Sequence, residues 1–400
     1  MDIAVIVILF GEALLALAAL YFSGLLKRPA HVAVSAALVA AAFVIRGLCL
    51  DHVTADYETF LSVWVEHFRQ NGGFAALASP IGNYNVPYMY FLAAFSYSGI
   101  DDLYLIKLLS IFFDVLLAWS VMALAGRYTS SRVKRLCAFF GVLFLPTVVL
   151  NGAYWGQCDS IYAAFAVLAV YLAVSGRPAA GMASMAVSFA FKLQAVFIMP
   201  IFVVLLIAGR VKLRHFFIFP AAYILLMLPA VAAGMPFVDT LTLYFDQMGT
   251  VGSALNYNSP SVFAFSAGVQ NESLASSLGI AAAFTLMFVC FLLFALLRGR
   301  GSLWALLGCC IVLSVGIPYF LPHMHERYFF VGDVLTLLLA CAAPEYAALP
   351  ILSQFASLLG YHAYLRGYYY LPMSYGAVAL ALVLAVALAF TLAQLSSGKK

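Results

Sequence analysis

The sequence predicts an all-α polytopic membrane protein, and three observations predict it. The 400 residues are 66% hydrophobic and only 9% charged, where a soluble domain carries about 25% charged residues. Apolar runs near the ~20 residues that a helix needs to span a bilayer recur from end to end. Basic residues gather in the short connections that alternate crossing would place on one side. A net charge of +4 gives no reason to invoke nucleic acid. The seven cysteines include no CxxC pair, and Cys290, Cys309, Cys310 and Cys341 fall inside predicted spans as small apolar residues.

In chain order the apolar runs are 3–25, 31–50, 103–126, 136–152, 157–176, 179–193, 195–209, 215–234, 273–297, 303–321, 328–343, 347–363 and 373–395, about 13 spans in one domain over 1–400. The first run has no basic leader and contains Glu12, so it reads as a retained span. Residues 86–100 are apolar but short and predict a juxtamembrane or re-entrant helix. Residues 179–209 predict two spans turning near Lys192, which keeps Arg177 and Arg210 on one side.

Alternation collects most of the 20 Lys and Arg on one face: Lys27, Arg28, Arg127, Arg132, Lys134, Arg135, Arg177, Arg210, Lys212, Arg214, Arg298, Arg300, Lys399 and Lys400. That face is expected to be cytoplasmic. The opposite face receives two long loops, about 51–102 and 235–272, and most of the 16 carboxylates, together with His52, His67, His323, His325 and His362. Groups able to do chemistry are therefore expected outside.

The first loop reads DHVTADYETFLSVWVEHFRQ from Asp51, and Tyr57, Phe60, Leu61 and Trp64 recur at helical spacing. Asp56 either caps that helix or serves as a general base at the membrane surface. Asp51 is a second carboxylate there, with a solvated loop position as its plainer reading. Arg46, one turn inside the preceding span, is expected to snorkel outward. Asn83 to Tyr88 offers amides and phenols suited to sugar hydroxyls, or an ordinary turn. Trp155 and Gln157 precede Asp159, which enters a span where a carboxylate needs a partner; Trp155 alone could be an interfacial belt residue. Lys192 is the only charge between Arg177 and Arg210, and an anionic lipid phosphate would satisfy it. His323-Met324-His325-Glu326-Arg327-Tyr328 lacks zinc-site spacing, and a phosphate clamp on Arg327 suits it better. Glu12 and Asp114, both mid-span, are expected to hydrogen-bond between helices.

Asp56-Tyr57-Glu58 with Trp64, Asn83 to Tyr88, Trp155 to Asp159, Lys192 with Gln194, and His323 to Tyr328 together resemble the GT-C superfamily of lipid-phosphate-sugar glycosyltransferases. The His-x-His-Glu-Arg run and the Lys192 segment look similar to dolichyl-phosphate-glucose-dependent glucosyltransferases. The set as a whole also resembles bacterial mannosyltransferases related to the GPI mannosyltransferases. Asn85-Val86-Pro87 departs from the family's Tyr-Pro-Pro loop.

The resemblance implies a GT-C-like fold and inverting transfer of a hexose, mannose or glucose, from a polyprenyl-phosphate sugar to a lipid-linked or glycan acceptor. It assigns Asp56 as the base that activates the acceptor hydroxyl. Lys192, His325 and Arg327 would hold the donor phosphate. Asp51, Asn85, Tyr88, Trp155, Gln157, Asp159, His323 and Glu326 would bind sugar or acceptor. The scheme needs no metal or other cofactor, and its partners are the donor, the acceptor and membrane lipids. Short loops favour a prokaryotic plasma membrane, or the endoplasmic reticulum for a eukaryotic chain. A transporter, or a flippase or polysaccharide polymerase, is the alternative.

Overall fold

The computed structural model describes residues 2–248, 252–297 and 302–397. Arg298, Arg300, Lys399 and Lys400 of the basic face lie outside the described residues, as does the side chain of Asp246. The described chain is helical almost throughout. In order the helices are α1 (Ile3–Phe22), α2 (Pro29–Cys49), α3 (Ser62–Gln70), α4 (Val86–Phe95), α5 (Asp102–Ala125) and α6 (Arg132–Phe144). Then follow α7 (Pro146–Val149), α8 (Asp159–Val174), α9 (Pro178–Phe191), α10 (Ile201–Ile207), α11 (Ile218–Ala233) and α12 (Phe237–Met248). The last five are α13 (Glu272–Leu296), α14 (Leu303–Phe320), α15 (Phe330–Ala342), α16 (Ala348–Arg366) and α17 (Met373–Ser396). Two short strands, β1 (Asn256–Tyr257) and β2 (Met324–His325), pair in parallel.

Among the described residues, seven helices are long and apolar enough to cross a membrane, or eight if the bent pair α6–α7 counts as one span. This is the pattern of an integral membrane protein. Local signals start several of the helices: Asp101 accepts from Leu103 N–H at 2.9 Å before α5, and Asn271 from Leu274 N–H at 2.9 Å before α13. Pro29, Pro146 and Pro178 stand in first turns, where a missing N–H costs nothing.

The bundle has a centre and a periphery. α14 and α5 are 83% and 72% buried over their apolar windows, whereas α1 and α13 are each 22% buried and expose Val7, Phe10, Phe284 and Phe288. With no water to hide from, such outward side chains suit lipid. α4 is only ten residues long, so it cannot cross, and it packs under the first loop. Its Tyr90 hydroxyl donates to the Leu226 carbonyl at 2.8 Å and accepts from Ala230 N–H at 3.3 Å. The phenol thereby bridges the backbone of α11 beside Pro229. α9 ends at Phe191, and the extended Lys192 breaks the helix where the sequence expected an interruption.

Two mid-span expectations change. Arg46 does not snorkel: it is 0% exposed, and its Nε and Nη2 donate to Asp114 Oδ2 at 3.1 and 2.9 Å. Its Nη1 reaches the Leu143 carbonyl at 2.9 Å, and Ser160 donates to Asp114 Oδ1 at 2.5 Å. A carboxylate already waiting in α5 makes the inward rotamer the satisfied one. Glu12 departs in the other direction, because its Oε2 is buried without a hydrogen-bond partner, in a groove beside Phe112 and Trp119.

Candidate active site

The polar groups converge at one end of the bundle, and two π-helical turns put them there. Lys107 reaches from α5 to the carbonyls of Cys49, Leu50 and His52 at 2.9, 2.9 and 2.5 Å, which ties down the end of α2. Thr54 Oγ1 then donates to the Trp155 carbonyl at 3.1 Å. The chain enters a π-helical turn, Tyr57–Leu61, with Asp56 at its mouth. On the other side, α7 widens into a second π-helical turn, Leu150–Trp155, which ends at Gly156 with φ +84°, a conformation that favours glycine. Ser110 Oγ donates to the Gln157 carbonyl at 2.7 Å and fixes the exit.

The two turns meet at Asp56. Its side chain makes no cap. Oδ2 instead accepts from Trp155 Nε1 at 2.9 Å and Gln157 Nε2 at 2.6 Å, and Oδ1 accepts from the Tyr364 hydroxyl of α16. Asp56 lines a cavity of about 400 Å³ together with Lys192, His325 and Arg327. Gln157 and Asn85 also line it, and Phe60, Trp64, Tyr84 and Tyr257 supply aromatic wall.

Lys192 Nζ pairs with Asp159 Oδ1 at 2.5 Å, and Asp159 Oδ2 accepts from Asn151 at 2.6 Å. Arg327 Nη1 donates to Glu326 at 2.9 Å, its Nε lies 3.7 Å from Asp159, and its guanidinium sits 5.3 Å over the Trp155 ring. Arg327 Nε, Gln194 Oε1 and Glu326 Oε2 are buried without hydrogen-bond partners, so the cluster holds unspent donors and acceptors. Among the described residues no three His, Cys, Asp or Glu side chains converge as metal ligands.

The 321–329 loop is held by β2 against β1, where His325 stacks on Tyr257 at 4.8 Å. Burial, then the charges of Arg327 and Lys192, pull the His325 imidazole down to about 4. His325 is therefore neutral at ordinary pH and offers a hydrogen bond. Burial pushes the Glu326 carboxyl up to about 7 despite its Arg327 partner.

Several predicted ligand-binding positions fall elsewhere. Asp51 is exposed, accepts from Tyr104 at 2.7 Å and does not line the cavity. Tyr88 is buried beneath Tyr84, ring centroids 5.0 Å apart, because α4 turns it inward; Tyr84 faces the cavity in its place and donates to Gln157 Oε1 at 3.0 Å. Trp155, Asp159 and Glu326 are buried behind the wall, where they hold Asp56, Lys192 and Arg327 rather than a ligand. His323 adopts φ +61° and bonds the Ala254 carbonyl through Nδ1 at 2.8 Å, so it pins the 235–272 loop. The π-helical turn also breaks the expected stripe: Phe60, Leu61 and Trp64 line the cavity, while Tyr57 turns toward Asp101.

Sequence reasoning missed Tyr244, Tyr257 and Tyr364 as wall residues. Each belongs to a distant element, and a tyrosine near a membrane surface carries no signal that separates it from a belt residue. The class that fold and site define is a helical membrane protein with a polar cavity at the end of its bundle. No protein-family model matches the chain, and no curated protein matches it.

Proposed function

We propose that the chain is an inverting, GT-C-like glycosyltransferase. It moves a hexose, mannose or glucose, from a polyprenyl-phosphate sugar to a lipid-linked or glycan acceptor on the non-cytoplasmic face. One observation carries the reading: a carboxylate held by three donors shares a cavity with Lys192 and Arg327, the charges that a lipid phosphate needs.

In this reaction Asp56 takes the proton of the acceptor hydroxyl as its oxygen attacks the anomeric carbon. The bond from that carbon to the phosphate oxygen breaks, and its electron pair leaves on the polyprenyl phosphate. Lys192 and Arg327 stabilise the growing negative charge, and neutral His325 donates a hydrogen bond. Phosphate is a good leaving group, so no general acid is required. A single attack on the face opposite the leaving group inverts the centre, through an oxocarbenium-like transition state.

The architecture is compatible with this reading. The seven long helices, the bent pair, α8, α9, the 193–207 segment, α15 and α16 would make about 13 crossing segments, with α4 lying short of a crossing. A prokaryotic plasma membrane suits the short loops.

Purified protein with EDTA should transfer label from polyprenyl-phosphate mannose or glucose to a membrane lipid extract, and a folded Asp56→Asn should not. Transfer unchanged in the variant moves the base elsewhere. No transfer from either donor returns the chain to a transporter, flippase or polymerase.

A further inference from the structure

We infer that Tyr364 is a positioning residue for Asp56, and that its phenol, with the other donors among the described residues, leaves one lone pair on Oδ1 to accept a proton. The catalytic meaning of this arrangement rests on the glycosyltransferase reading; its substance is geometric. A carboxylate offers about four lone-pair sites. Trp155 Nε1 and Gln157 Nε2 occupy both on Oδ2, and the Tyr364 hydroxyl occupies one on Oδ1. The remaining site belongs to a group that lines the cavity.

Tyr364 is itself held in place. Its ring stacks on Trp155 with centroids 4.7 Å apart and planes 26° apart. Three residues earlier on the same helix, Tyr361 meets Trp155 edge-on at 5.5 Å and accepts from Asn151 at 3.2 Å. α16 therefore grips the indole with two rings and presents the phenol to the carboxylate from a position 308 residues away in sequence. A fixed donor of this kind sets the direction from which a hydroxyl can approach.

Other groups around Asp56 carry charge or titrate. His325 and Arg327 line the same cavity from the 321–329 loop, with Glu326 buried behind Arg327; Lys192 lines it from the break after α9, and Tyr84 from across Gln157. Trp155 provides the probe, because its indole donates to Asp56 whether or not turnover occurs.

The full chain is purified and the emission of Trp155 is read, with Trp155→Phe subtracted. Tyr364→Phe keeps the stacked ring and loses the hydroxyl, and Asp56→Asn is the control that removes the carboxylate. The Trp155 emission of Tyr364→Phe should move from that of the wild type toward that of Asp56→Asn, because the carboxylate is no longer held. In the transfer assay its kcat should fall on the order of tenfold with the donor KM unchanged. Emission and kcat both unchanged overturn the inference. Absence of transfer by the wild type sinks the glycosyltransferase reading alone, and the emission still decides whether Tyr364 positions Asp56.

Discussion

Two arginine–carboxylate clusters differ in this protein: Arg46 is fully buried with Asp114, and Arg327, 14% exposed, stands at a cavity. At Arg46 every guanidinium nitrogen has a hydrogen-bond acceptor: Asp114 and the carbonyls of Ala42 and Leu143 take four bonds, and Ser160 completes Asp114. At Arg327 one hydrogen bond, to Glu326, is made, and Nε stands 3.7 Å from Asp159; among the described residues Arg327 Nε, Gln194 Oε1 and Glu326 Oε2 find no hydrogen-bond partner. The first cluster joins α2, α5 and α8 and has nothing to offer a ligand. The second opens onto a cavity of about 400 Å³ with its capacity unused. What separates the two is position: Arg327 lines a cavity, and Arg46 is enclosed by its partners.

The largest test of this contrast is catalytic. Asp56→Asn should lower transfer by about 10²–10⁴-fold with the melting temperature little changed, since a general base contributes on that scale. Asp114→Ala should do the reverse. It strands Arg46 in an apolar bundle and should cost about 3–5 kcal/mol of stability, read as a lowered thermal midpoint in detergent. If instead Asp114→Ala melts like the wild type, the sealed cluster is not glue and the contrast fails.

Arg327→Lys keeps the charge but loses the planar fork, so donor affinity should fall on the order of tenfold, measured as donor KM or by direct binding. A smaller effect concerns pH. Glu326 holds its proton more tightly folded than unfolded, so the stability it contributes below about 4.5 is lost as pH rises through about 7. His325 has the opposite sign: its contribution is present above 6.5 and is lost as pH falls toward about 4. The two offset each other over most of that range, so Glu326→Gln should make the melting temperature rise more steeply with pH between 4.5 and 6.5, and an unchanged slope would refute the assignment. Smallest of all, Asp51→Asn should alter stability by under ~0.5 kcal/mol and leave transfer intact, because Asp51 is exposed and outside the cavity.

Much of the site was legible in the amino-acid sequence. Asp56, Lys192, His325 and Arg327, chosen as polar residues where apolar ones were due, do line one cavity. The roles within the set were less legible. Trp155, Asp159 and Glu326 look like ligand-binding residues in sequence and prove to be the supports of those that face the cavity. Tyr84 precedes α4 and Tyr88 stands in its first turns; which of the two faces the cavity depends on how the loop enters the helix, and nothing local in the sequence settles that.

The sequence by itself determined that this chain is helical and built for a membrane, where its long apolar helices fall, and that a helix is interrupted at Lys192. Those properties follow from hydropathy and charge, which add up locally along the chain. The tertiary structure alone decided that Arg46 seals against Asp114, that Glu12 Oε2 is left without a partner, and that Tyr364 closes on Asp56. A hydrogen bond is satisfied by whichever group the fold brings within about 3 Å. Separation along the chain carries no information about that distance.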